Sequence, residues 1–130
     1  MHLGNAIAAH DEWKTTFRTA ITKNETLDAT AISDDNCCEL GKWLYGEGKT
    51  LFGKLPMHAH CVATHKIFHQ EAGAIAEAIN AKQFIESDNM LSAHAHFSLT
   101  SLALTAAILR LTKEAENSAG FISLVAKLSK

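Results

Sequence analysis

Eight histidines in a chain of 130 residues are the first chemical signal. Two of them stand four apart in the run His65-Lys66-Ile67-Phe68-His69. Helical residues at that spacing lie one turn above the other on a single face, so both imidazoles can reach one metal ion. The face is an inward one, because Cys61, His65, Phe68, Ala72, Ile75 and Ile79 recur at three-and-four spacing. Two imidazoles do not fill a coordination sphere, so further ligands must come from other elements. His10 is a candidate, a polar residue within the otherwise apolar stripe of Leu3, Ile7, Trp13, Phe17 and Ile21; without a metal, such a histidine is a core residue satisfied by a hydrogen bond. A thiolate beside imidazoles suits zinc, and Cys37, Cys38 and Cys61 compete for that place. Cys61 lies one turn before His65, but three successive ligands on one helix would span about 12 Å at 1.5 Å per residue. The thiol is therefore expected from Cys37 or Cys38.

These side chains must be carried by helices. One is expected over residues 3–21. Ser33-Asp34-Asp35-Asn36 then offers N-cap residues for a short helix beginning near Cys37. Gly46, Gly48 and Gly53, followed by Pro56, should stop it. Pro56 suits a first helical position, and a long helix is expected over 56–81 with Glu71, Glu77 and Lys82 turned to water. A further helix over 85–114 has more Leu, Ala and Ile than one face needs, which points to cover from a second subunit. It places His94 on its inner stripe, whereas His2, His58, His60 and His96 read as surface or loop residues. After Asn117-Ser118-Ala119-Gly120, the positions Phe121, Leu124, Val125 and Leu128 form a short amphipathic segment. The expected organisation is a helical bundle over 1–116 and an amphipathic tail helix over 117–130. The fold class is all-α: a four-helix bundle variant with an additional short helix carrying the cysteine ligand and a C-terminal amphipathic helix.

Composition narrows the function. The 12 basic and 14 acidic residues give a net charge of -2 with no basic patch, which argues against a nucleic-acid partner. The start of the chain lacks a basic region followed by an apolar run, and no stretch of about 20 apolar residues occurs. No export signal and no membrane span are expected. An odd number of cysteines, three, fits reduced thiols in the cytoplasm better than a disulfide framework.

The run Cys38-Glu39-Leu40-Gly41-Lys42-Trp43-Leu44 resembles the Cys-x-Leu-Gly-x-Trp-Leu signature of the chemoreceptor zinc-binding, or CZB, domain. Ala9-His10-Asp11-Glu12-Trp13-Lys14 resembles its first histidine motif, and His65 to His69 followed by Ala72-Gly73 its paired-histidine motif. The resemblance spans about residues 3–111. It implies one zinc ion held by His10, Cys38, His65 and His69, in a cytoplasmic bundle that often dimerises. It also implies a regulatory domain of bacterial signal transduction, including chemotaxis, that reports zinc availability or oxidation of the cysteine. The resemblance further implies a chemoreceptor signalling domain or a diguanylate cyclase domain as partner, in cis or in trans. Four protein ligands leave no open position for water, so the zinc is expected not to be catalytic and the protein not to be an enzyme. Within that frame Gly41 allows close backbone approach, Trp43 and Leu44 anchor the short helix, and Cys37 and Cys61 are bystanders or disulfide partners of an oxidised Cys38. The competing expectation is a non-haem iron or di-iron bundle binding oxygen, which calls for several inward carboxylates.

Overall fold

The structure is a computed structural model; it describes residues 2–128, with side chains described as far as Ser118. Among these residues it is all-α, with no strand. The elements in order are α1 (Leu3–Asp11), α2 (Trp13–Lys23), α3 (Ala29–Ser33), α4 (Glu39–Tyr45), α5 (Glu47–Phe52), α6 (Pro56–Asn80), α7 (Phe84–Met90) and α8 (His96–Leu128).

α6 is the central rod. It starts at Pro56, whose missing N–H costs nothing in a first turn. Its expected inward stripe is buried throughout: Cys61, His65, Phe68, Ala72, Ile75 and Ile79 are each at most 1% exposed. α8 runs antiparallel beside it. Thr100 Oγ1 donates to Glu71 at 2.6 Å near one end of the pair, and the Met57 N–H donates to Glu114 at 3.2 Å near the other. The core between the rods is built on Phe17, Phe68 and Phe97, whose rings meet at centroid distances of 4.9 Å (Phe68 to Phe97) and 5.9 Å (Phe17 to Phe97). Burial of three aromatic side chains is a dominant apolar contribution in a domain of this size.

Several expectations about the elements are corrected. The helix expected over 3–21 is interrupted at Glu12, which keeps right-handed helical backbone, giving α1 and α2. The short helix α4 does end at a glycine, with Gly46 as its C-cap, but the chain re-enters helix before Pro56 and stops again at Gly53. α5 runs across Gly48, where the ring of Trp43 occupies the space a Cβ would need. α3 was not expected; Asp28 caps it by accepting the Ala31 N–H at 3.1 Å. The helix expected over 85–114 is divided by the link 91–95, and His94 is exposed in that link rather than on an inner face. Glu71 is half-buried and bonded to Thr100, not turned to water. Finally, the α8 backbone passes through residues 117–120 without a break. The faces expected of Phe121, Leu124, Val125 and Leu128 lie outside the described residues.

The C-terminus of α6 carries a testable local strain. Lys82 has φ 60°, its N–H bonds to Ile79 O at 2.9 Å, and the Gln83 N–H bonds to Ala78 O at 3.0 Å, the pairing of a Schellman cap. A left-handed residue bearing a Cβ costs about 1–2 kcal/mol, part of which glycine loses again as backbone entropy in the unfolded chain. Lys82→Gly is expected to stabilise the protein by about 0.5–1 kcal/mol, read as a higher thermal midpoint, and Lys82→Ala to give no gain.

Candidate metal centre

His10 lies in the last turn of α1 and is 6% exposed. Its Nδ1–H donates to Ala6 O at 2.7 Å, which leaves Nε2 as a lone pair directed at the bundle interior. His69 is fixed in the same way: Nδ1–H donates to Ile32 O of α3 at 2.8 Å and Nε2 is left free. That bond needs α3 to lie close on α6, and Gly73, one turn beyond His69, permits it. A Cβ at Gly73 would come within 2.5 Å of the Ser33 Cβ.

Cys38 enters from a third direction as the N-cap of α4, its Sγ accepting the Gly41 N–H at 3.3 Å. The preceding turn is held by side chains. Asp34 accepts the Asn36 N–H at 2.9 Å and the Cys37 thiol at 3.2 Å, and the Tyr45 hydroxyl donates to Asp35. Gly41 is buried directly beneath this turn. A Cβ there would overlap the Asp35 carbonyl oxygen and lie 2.8 Å from its carbon, which is the physical content of the glycine in the Cys38 motif. Trp43 packs against Phe52 and Gly48, and Leu44 is fully buried, so both anchor α4 as expected.

These elements bring His10, Cys38, His65 and His69 together, with one ligand atom from each residue all within 4.8 Å of one another. The Cys38 Sγ is 3.2 Å from His65 Nε2 and 3.8 Å from His10 Nε2, and the two Nε2 atoms are 3.2 Å apart. A tetrahedral zinc site with bonds of 2.0–2.3 Å has ligand–ligand edges of about 3.3–3.8 Å, close to these separations. Burial pushes His65 down to about 3, helped by the neighbouring His69 and His10, so its ring is neutral. His10 is lowered as well, mainly by burial. Burial raises the Cys38 thiol, opposed by the Gly41 N–H. Among the described residues, two buried side-chain atoms have no hydrogen-bond partner, His65 Nδ1 and His69 Nε2. Such atoms cost about 1–3 kcal/mol each, and the one on His69 faces the cluster with its tautomer already set.

The remaining candidates are placed elsewhere. Cys37 is exposed, and its thiol is raised by the bond to Asp34. Cys61 is buried outside the cluster, its thiol pushed up to about 12 by burial. No carboxylate joins the cluster among the described residues. His58 was expected at the surface but is 6% exposed, with Nε2 bonded at 2.7 Å to Leu44 O at the end of α4. The signal was present: His58 continues the three-and-four stripe of Cys61, His65 and Phe68 by one step.

Fold and cluster together define a helical bundle with a buried histidine and cysteine centre of metal-binding type. The family model described as the chemoreceptor zinc-binding domain matches residues 10–76, just over half of the chain, and the protein belongs to that family. The match begins at His10 and includes all four clustered residues, but it is narrower than the span of about 3–111 expected from the motifs. α7 and α8 lie beyond it. Comparison with curated proteins and with solved structures returned no significant match. Membership makes this a zinc-binding domain of the chemoreceptor-associated kind. Among the described residues, no helix is long and apolar enough to cross a membrane.

Proposed function

We propose that His10, Cys38, His65 and His69 hold one zinc ion, and that the protein is a regulatory domain of bacterial signal transduction without catalysis of its own. The observation that carries this is the unpartnered Nε2 of buried His69, held toward three other donors by a bond on the far side of its ring. Metal-ligating histidines characteristically donate the other ring N–H to a carbonyl or carboxylate, and His10 and His69 both do so. The contact between His10 and His65 supports the same reading. Since the His10 Nε2 is a lone pair, the His65 Nε2 at 3.2 Å is tolerable in the metal-free protein only as an N–H donor. Bound zinc would supply a Lewis-acidic centre that keeps Cys38 as thiolate and displaces that proton.

A donor set of four closes the coordination sphere, which suits reporting rather than turnover. Two of the donors sit on the 25-residue α6 and His10 on the nine-residue α1, while Cys38 is the N-cap of the seven-residue α4, which ends at Gly46. Zinc loss or oxidation of the Cys38 sulfur therefore acts first on α4. The output would be a chemoreceptor signalling or diguanylate cyclase domain, in cis or in trans, in the cytoplasm. A homodimer is part of the proposal, supported by the exposed face of α8 at Leu99, Leu102 and Leu109. The absence of carboxylates from the cluster favours zinc over an oxygen-binding iron centre, which uses them as ligands.

Elemental analysis of the purified protein tests this proposal. About one zinc per chain is expected, falling below about a tenth in Cys38→Ser and in His69→Ala and unchanged in Cys61→Ser. Iron in place of zinc, or retention of zinc by both of the first two variants, overturns it.

A further inference from the structure

The four donors are not equally enclosed. His65 and His69 are 0% and 2% exposed, while Cys38 is only half-buried. A cleft of about 210 Å³ reaches the cluster from the Cys38 side, with His10 and Cys38 in its wall. Ala6 and Ala9 of α1 and Leu40 of α4 give it low walls, and two exposed groups of zinc-ligating type, His2 and Glu39, line it as well. His2 precedes α1, and its ring lies back over the first turn, where a Cβ at Gly4 would come within 3.0 Å of it. Glu39 follows Cys38 directly as the first residue of α4. The first turns of α1 and α4 both present backbone N–H groups near this opening, an environment that repels a cation. Glu39 is the carboxylate that offsets it.

We propose that this cleft is the port through which zinc enters and leaves, and that His2 and Glu39 form a transfer pair, taking the partly hydrated ion before Cys38 and His10 do. The proposal rests on the reading of the four-residue cluster as a zinc site. An ion passing between two ligand sets need not shed its whole water shell in one step, so a transfer pair accelerates binding and release together and leaves the equilibrium nearly unchanged. The roles differ in kind: His10 and Cys38 set affinity, His2 and Glu39 set the exchange rate.

The test measures both directions of exchange on the full chain. Zinc-loaded protein is mixed with excess chromogenic chelator, metal-free protein is mixed with zinc, and equilibrium zinc content is determined on the same samples. The His2→Ala/Glu39→Gln double variant is expected to slow uptake and release at least tenfold while keeping about one zinc per chain. Ala9→Phe, at an exposed position facing the cleft, is expected to slow both by obstruction. Normal zinc content with unchanged rates in both variants overturns the port. Slowing by Ala9→Phe alone overturns the transfer pair. A parent protein that binds no zinc overturns the underlying site instead, so the failures are distinguishable.

Discussion

Adding zinc to the metal-free protein is expected to raise its thermal unfolding midpoint by at least 10 °C, and the Cys38→Ser variant is expected to show less than a third of that rise. The magnitude follows from linkage. A ligand that binds only the native state, at a free concentration of about a thousand times its Kd, contributes about 4 kcal/mol. In a domain of this size each kcal/mol moves the midpoint by about 3–6 °C. The metal-free state is also specifically weakened at the cluster, where the buried Nε2 of His69 lacks a partner. The metal-free protein should nevertheless stay folded, unlike a zinc finger, because the core of Phe17, Phe97, Leu104, Ile108 and Leu111 is formed without the cluster. A scan in the presence of chelator checks this. Cys37→Ser should retain the full rise, since that thiol points to Asp34 rather than the cluster. Equal rises in Cys38→Ser and the parent would show that zinc stabilises the protein from some other site.

Much of this centre was legible in the residues because helical periodicity is a strong signal. The i, i+4 histidines, the stripe from Cys61 to Ile79 and the start at Pro56 follow from spacing and backbone chemistry alone, and the structure has them as expected. The choice between Cys37 and Cys38 was not decidable on those grounds. It depends on which thiol caps α4 and which is captured by Asp34, a matter of turn geometry two residues wide. Motif resemblance pointed to Cys38, and its Sγ is the one within 3.2 Å of His65.

What was illegible has a common physical cause. α3 is five residues long and α5 six, shorter than the window in which amphipathic periodicity can be read, and both exist because they pack on larger elements. The interruption at 91–95 falls within an apolar and alanine-rich run that reads as helix throughout. Ser98, whose hydroxyl donates to Ser92 O at 2.6 Å, ties the link back onto α8. The same limit explains the partners of the imidazoles. The acceptors for His10 and His69 are the carbonyls of Ala6 and Ile32. Backbone acceptors carry no side-chain signature.

Replacing Gly41 by alanine separates local propensity from tertiary contact, because the two predict opposite signs. Alanine in place of glycine inside a helix favours the helix by about 1 kcal/mol. Here the added Cβ would overlap the Asp35 carbonyl oxygen, and that atom is backbone, which cannot rotate away as a side chain can. Either the turn at 34–38 or α4 must move. The turn is held by Asp34, Asp35 and Tyr45, and α4 by the buried Leu40 and Leu44 and by the bond from His58 to Leu44 O. Cys38 sits between the two as N-cap, so either movement displaces its Sγ from His65 Nε2. Contact therefore wins, and Gly41→Ala is expected to weaken zinc binding at least a hundredfold, about 2.7 kcal/mol, measured by competition with a chelator of known affinity. Gly4→Ala is the comparison. Its Cβ would meet only the ring of exposed His2, which can swing aside, so affinity should change by less than about threefold. Full affinity in Gly41→Ala would mean that the close approach of α4 to the Asp35 carbonyl is not what aims the cysteine, and that α6 and α1 position the site without it.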